Sequence, residues 1–177
     1  LAGENIAGGS WSQTYKKKIL DSRVHSIENI YEIVKQMPTK PQVWIQASAV
    51  GYYGYDTRQK VDESSPKGEG FLASVVDQLE SAFNDVSLPA TRKVLLRLGV
   101  VISVNGGFLH KLKQTFSWGL AACPGSGEQK LSWIHIVDLV AIVHLAILNK
   151  DMDGITNAVA PNPVSMIRFT LLLKKHS

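Results

Sequence analysis

The sequence has 177 residues, 45% hydrophobic and 19% charged, which suits one globular domain with a sizeable core and excludes a low-complexity or disordered chain. Net charge is +4, but the basic residues come in short runs, Lys16-Lys17-Lys18 and Lys174-Lys175, that read as solvated helix faces rather than a nucleic-acid surface. The single cysteine, Cys123, excludes an internal disulfide, reads as inert and fits a reducing, cytoplasmic setting; the longest apolar stretch, Ile134 to Leu148, is broken by His135, Asp138 and His144, so no membrane span is expected.

In chain order, Leu1-Ala2-Gly3-Glu4-Asn5 reads as the end of a strand entering a loop, continued by Gly8-Gly9-Ser10. No Met opens the chain, no signal peptide is seen, and the C-terminus falls inside a helical pattern, so the chain reads as cut at both ends. The spacing predicts a long amphipathic helix from about Ser12 to Gln36, stopped by Pro38, with an apolar stripe of Leu20, Val24, Ile27, Ile30 or Tyr31, and Val34. Arg23 falls on the edge of that stripe. A guanidinium beside a buried face needs an anion or several acceptors, either a structural carboxylate or a bound phosphate.

The run Val43-Trp44-Ile45-Gln46-Ala47 follows the breakers Pro38 and Pro41 and reads as a buried strand that ends in Ser48-Ala49-Val50-Gly51-Tyr52-Tyr53-Gly54. Open α/β sheets bind ligands beyond the carboxyl ends of their strands, which is where Ser48, Tyr52 and Tyr53 fall; the alternative is a plain strand exit with the tyrosines as packing. A charged loop, Tyr55 to Gly70, leads to a helix from about Phe71 to Phe83, with Leu72, Val75, Val76, Leu79 and Phe83 on one side. Lys93 to Ile102 reads as one continuous buried strand, interrupted by Arg97, which again asks for a partner. A turn at Asn105-Gly106-Gly107 and a short helix carrying Leu109, Leu112 and Phe116 follow. Leu131 to Leu139 leads into a helix ending near Leu148, apolar almost all round and so expected to be sandwiched between layers. A last strand from Ile155 to Ala160 and an unfinished helix from Val164 complete an alternation that predicts a parallel α/β sheet with crossover helices.

Few local motifs carry chemistry. Gly68-Glu69-Gly70-Phe71-Leu72-Ala73 fits the letters G-x-G-x-x-A and opens a helix, but an acidic loop rather than a strand precedes it, so it is rejected as a dinucleotide fingerprint. His135, Asp138 and His144 are spaced along a helix with apolar neighbours and read as capping and core residues, not a metal site. A serine and a tyrosine at a strand end can orient a carbonyl and exchange a proton, although no lysine lies a helical turn from Tyr52 or Tyr53. The residues alone therefore give a ligand-binding α/β domain, with catalysis open.

Several segments in order, Leu1-Ala2-Gly3-Glu4-Asn5-Ile6, Asp21-Ser22-Arg23-Val24, Ser48 to Gly54, Arg97-Leu98-Gly99-Val100-Val101, Ser132-Trp133-Ile134-His135-Ile136 with Asp138, and Ala160-Pro161-Asn162-Pro163, resemble one family. It is the atypical extended short-chain dehydrogenase/reductase family of NAD(P)-dependent sugar-nucleotide epimerases, some of whose members carry a cell-division-inhibitor label. The resemblance implies a Rossmann-type doubly wound parallel sheet, incomplete here: residues 1–177 would be the second half of an NAD(P)-binding domain, with small substrate-side elements at about 103–135 and 155–177. The glycine-rich turn and first βα units, roughly 60–75 residues by the size of such units, would precede Leu1. NADP is the implied cofactor, with NAD as the alternative, because the strand that decides lies outside the chain. A nucleotide sugar or a small carbonyl or alcohol is the implied substrate, and a homodimer stays open.

Carried over by position, Leu1, Ala2, Arg23, Ser48, Gly99, Val100 and Val101 would line the cofactor, Ser48 and Tyr52 would be catalytic, and Tyr53, Trp133 and His135 would face the substrate. One departure matters. The wider superfamily uses Tyr-x-x-x-Lys on the helix after the tyrosine loop, and in that register this chain has Phe71 and Val75. Either Tyr52 or Tyr53 substitutes, giving an oxidoreductase or epimerase, or the protein binds nucleotide without catalysis.

Overall fold

A computed structural model describes residues 3–55, 60–103, 106 and 126–175, with side chains through 172. Leu1, Ala2, Cys123 and the expected short helix with Leu109, Leu112 and Phe116 lie outside the described residues, as does most of the turn at Asn105-Gly106-Gly107. The first helix, α1 (Gln13–Gln36), starts where Ser12, in extended backbone, accepts the Tyr15 N–H at its Oγ (3.2 Å), and ends two residues before Pro38. Removing that cap by Ser12→Ala is expected to cost about 1 kcal/mol, read from urea unfolding. Its buried line is Ile19, Ile27 and Val34, so Arg23 stands in line with the stripe rather than at its edge, while Ile30 and Ile33 face outward.

The main sheet holds three parallel strands in the order β1 (Val43–Ala49), β2 (Arg92–Leu98), β6 (Gly154–Ala158). Between β1 and β2 lies α2 (Phe71–Asp85), and before β6 lies α3 (Ile136–Leu148). On one face, Trp44 and Leu95 pack against Ile27 and Val34 of α1 and Leu79 and Phe83 of α2, with Trp44 edge-on to Phe83 at 5.3 Å. On the other, Val94, Leu96 and Ala158 pack against Ala146, Ile142 and Val143 of α3. The strands add in one direction while α2 and α3 lie on opposite faces, so the two crossovers have opposite hands, against the strong right-handed preference. The second carries a long excursion that includes β3 (Val100–Ser103), which pairs with β5 (Trp133–His135), and β4 (Lys130–Leu131), which pairs with β7 (Val164–Ser165) from beyond β6. The last helix, α4 (Met166–Lys175), follows β7 directly.

Two expectations are corrected. The strand expected from Lys93 to Ile102 breaks at Gly99 and its halves join different sheets. A Cβ on Gly99 would lie 2.9 Å from the Ser132 carbonyl oxygen, so the chain turns out of the main sheet where a second backbone presses on it. Helix α3 is not sandwiched: Val137 and Leu148 are 64% and 65% exposed, and only its Leu139, Ile142, Val143 and Ala146 side meets the sheet. Apolar residues all round a helix do not by themselves supply a second layer. No helix among the described residues is long and apolar enough to cross a membrane.

The start of β2 locks both helical layers. Arg92 donates to the carbonyls of Ala146 (2.7 Å) and Met152 (2.6 Å) at the end of α3, and Lys93 Nζ donates to those of Asn84 (2.8 Å) and Val86 (3.0 Å) at the end of α2. Alternation along the strand sends these neighbours to opposite faces, where each cation satisfies carbonyls at or just beyond a helix terminus.

Candidate functional site

The carboxyl ends of the strands carry a polar row. Ser48, Arg97 and Asn157 are register partners across β1, β2 and β6, so their side chains share the face covered by α2. Arg97, its side chain 2% exposed, makes a fork to Glu80 of α2: Nε donates to Oε1 at 2.9 Å and Nη2 to Oε2 at 2.7 Å. The Ser48 hydroxyl donates to the same Oε1 at 2.6 Å. Arg97 Nη1 donates to the Tyr53 hydroxyl at 2.8 Å, which donates onward to Asn157 Oδ1 at 2.8 Å. Glu63, from the loop before α2, accepts the Asn157 N–H at 2.7 Å. Burial disfavours the Arg97 charge, but its hydrogen bonds to Glu80 and Tyr53 outweigh that and raise its pKa above the usual guanidinium range.

Tyr52 and Tyr53 sit on a single 3₁₀ turn, Val50–Tyr53, with rings perpendicular at 5.5 Å. The Arg97 guanidinium lies 3.6 Å from the Tyr52 ring centroid. Tyr53 is buried, and its hydroxyl is occupied on both sides by Arg97 and Asn157. Ser48 is buried too, and its hydroxyl turns toward Glu80. Tyr52 is only half-buried, and its hydroxyl has no hydrogen-bond partner among the described residues.

A groove of about 500 Å³ follows the outer edge of β1, where no strand pairs among the described residues; it is lined by Gly3, Arg23 and Ser26, by Ser48, Ala49 and Gly51 at the strand end, and by Val75, Val76 and Leu79 of α2. Arg23 makes no ion pair with a carboxylate among the described residues. Its Nη1 donates to the Ile19 carbonyl (2.8 Å) and its Nη2 to the Glu4 carbonyl (3.1 Å), so among the described residues no anion pairs with this half-buried cation directly. Burial pulls its pKa below the ordinary guanidinium value, opposed by the field of Glu4. Gly3 rests on the guanidinium, where a Cβ would sit 3.1 Å from Cζ.

The remaining expected residues gather on the β3–β5 sheet, where Val100 pairs with Trp133 and Ile102 with His135. Their polar groups serve the fold: Gly99 N–H donates to the Ala158 carbonyl (3.1 Å), Val100 N–H to that of Ser132 (2.8 Å), and Trp133 Nε1 to that of Asn162 (3.1 Å). His135 caps α3, its Nδ1 accepting the Val137 N–H at 3.3 Å, in line with the capping role read from sequence. No cluster of metal-ligating side chains occurs among the described residues.

No family model matches the chain. An epimerase family protein of Mycobacterium bovis is 39% identical over 170 residues, which make up 96% of this chain and 56% of that protein. Human epimerase family protein SDR39U1 is 33% identical over 178 residues, 98% of this chain and 60% of that one. The crystal structure of the human protein, determined with NADPH, superposes with a TM-score of 0.87 at 32% identity, over 98% of this chain and 61% of that chain. The chain is similar to the proteins of this epimerase family. A nucleoside-diphosphate sugar epimerase from Corynebacterium glutamicum is also similar, with a TM-score of 0.82 and 36% identity over 96% of this chain and 36% of its own. The chain thus spans a little over half the length of the family relatives it matches, and its fold is the Rossmann-like α/β fold of these epimerases.

In this chain the register expected for Tyr-x-x-x-Lys on α2 is filled by packing. Phe71 meets Trp11 edge-on at 5.4 Å with Lys16 over its ring, and Val75 is buried. The sequence reading missed Glu80, Asn157 and Glu63. Glu80 had a signal: a carboxylate beside Leu79 on a helix face otherwise apolar, with Arg97 equally out of place in an apolar strand.

Proposed function

We propose that this chain forms the substrate-side part of an NAD(P)-dependent epimerase or oxidoreductase of the short-chain superfamily, with NADP(H) preferred, acting on a nucleotide sugar or a small carbonyl or alcohol. The observation that carries the reading is Arg23: a half-buried cation held by carbonyls alone, on an apolar groove at the carboxyl end of β1. Such a group suits the phosphates of a dinucleotide, which supply the missing negative charge, and the similarity to a protein solved with NADPH points the same way. Bound there, the nicotinamide would supply the hydride acceptor or donor. In this reading Arg23 binds, Leu1, Ala2, Gly99, Val100 and Val101 border the cofactor, and Trp133 and His135 border the substrate. Tyr52 presents the hydroxyl that exchanges a proton with the substrate oxygen. Ser48 acts from beneath, holding Glu80 and through it Arg97.

A second reading, nucleotide binding without turnover, is favoured by one observation: Phe71 and Val75 are packed where the superfamily's tyrosine and lysine would stand. The test is an NADPH fluorescence titration on this chain and on a chimera carrying the upstream portion of the human relative ahead of Leu1. Saturable binding is expected, weakened about tenfold or more by Arg23→Gln, as the loss of a charge-assisted contact predicts. No binding by either form would sink the cofactor assignment. Tyr52→Phe should leave NADPH binding unchanged; with nucleotide sugars offered as substrates, its loss of turnover marks the enzyme, and no turnover by the unmodified protein marks the binding module.

A further inference from the structure

We infer that Arg97 is the positioning residue for Tyr52, supplying from β2 the cation that α2 lacks at Val75. The inference rests on the reading that Tyr52 is the reacting hydroxyl, and it separates the roles of the two adjacent tyrosines. The Arg97 guanidinium is held along its edge: Nε and Nη2 grip the Glu80 carboxylate, and Nη1 donates to Tyr53 and, at 3.5 Å, to the Glu63 carbonyl. A guanidinium held by its edge has a fixed plane and presents its faces for contact. One face carries the Tyr52 ring, with Cζ 3.6 Å from the centroid, close enough for stacking as well as cation–π attraction.

Tyr53 closes the other side. Its ring stands at 89° to that of Tyr52, and its hydroxyl is pinned between Arg97 and Asn157 Oδ1, so it cannot swing away. Behind Tyr52, the Gly68 N–H donates to its carbonyl at 2.9 Å. Tyr53 is thus the anchor and Tyr52 the presented group. Glu80 fixes the orientation of the guanidinium, and the guanidinium fixes the orientation of the phenol. Lysine at position 97 would keep the charge but lose both the fork to Glu80 and the planar face under Tyr52.

The experiment is fluorine NMR on the chain with fluorotyrosine at its five tyrosines, with the Tyr52 and Tyr53 resonances assigned by Tyr→Phe substitution. Arg97→Lys is expected to move the Tyr52 and Tyr53 resonances toward the position of free fluorotyrosine while those of Tyr15, Tyr31 and Tyr55 stay, a pattern that loss of the fold would not give. A Tyr52 resonance that does not move overturns the proposal. Should Arg97→Lys shift all five, Glu80→Gln decides by the same criterion, since it keeps the guanidinium and loosens only its fork. NADPH titration of the same variants in the chimera keeps the two readings apart. Affinity in Arg97→Lys is expected within about twofold of the unmodified protein, because Arg97 does not line the groove. Failure of the unmodified protein to bind NADPH would sink the cofactor reading and leave the Tyr52 resonance to decide the role of Arg97.

Discussion

Glu80→Ala should destabilise the protein by about 3–5 kcal/mol, the range for removing one partner of a buried ion pair. The truncation leaves the Arg97 guanidinium, 2% exposed, with no carboxylate, and strips the Ser48 hydroxyl of its acceptor. Tyr52 covers one face of the guanidinium and Tyr53 holds its edge, so little water reaches it. The exposed pair Lys17–Asp21 sets the contrast: its lysine side chain is 74% exposed, and breaking it by Asp21→Ala should cost about 0–1 kcal/mol. Urea unfolding of both variants at one pH measures the difference. The double substitution Glu80→Met with Arg97→Met should recover most of the loss, because two apolar side chains remove the unpaired charge together. A Glu80→Ala protein within about 1 kcal/mol of the original would mean that water reaches the pair and that the polar row is not the interior device its burial suggests.

The same residues show how far the sequence can be read and where it stops. The alternation of strand and helix was legible because it rests on local periodicity. So was the end of α1, because Pro38 cannot continue a helix. The strand ends with Ser48, Tyr52 and Tyr53 were legible as a polar exit from an apolar run. Arg97 was legible as a problem, a charge in a buried strand, but its solution lay 17 residues away on a different element. Pairing of that kind is set by the register of β1 against β2 and by which face α2 covers, neither of which local pattern encodes. The break at Gly99 was hidden for the same reason: an apolar run looks continuous until a second backbone, here Ser132, presses against it. Helix α3 misled in the opposite direction, because composition reports what a helix can bury and not how many layers surround it. The glycines of Gly68-Glu69-Gly70, rightly rejected as a dinucleotide fingerprint, have a structural role that the letters do not show. Gly70 takes a φ of 101° to start α2, and Gly68 is small because of what lies against it.

That contact gives the last large effect expected. A Cβ on Gly68 would lie 2.0 Å from the Tyr53 carbonyl oxygen, 2.3 Å from its carbonyl carbon and 2.6 Å from the Gly54 nitrogen, all backbone atoms with no rotamer to yield. The loop before α2 must therefore lift off the 3₁₀ turn, which breaks the Gly68 N–H bond to the Tyr52 carbonyl and pulls on Glu63, whose carboxylate holds the Asn157 N–H. Gly68→Ala is expected to cost about 2–4 kcal/mol, a strain mechanism at the upper end of single-residue effects. Gly51→Ala is the matched control: its Cβ meets nothing within 4 Å on the same turn, so it should stay within about 0.5 kcal/mol. Thermal melts give the two stabilities, and limited proteolysis tells where the damage lies. Cleavage gained within residues 60–70 of Gly68→Ala, with the rest of the chain still protected, would show the loop released from an otherwise intact sheet. A Gly68→Ala protein as stable and as resistant as Gly51→Ala would mean that the loop does not rest on the tyrosine turn. In that case the clamp on Tyr52 would come from Arg97 and Tyr53 alone.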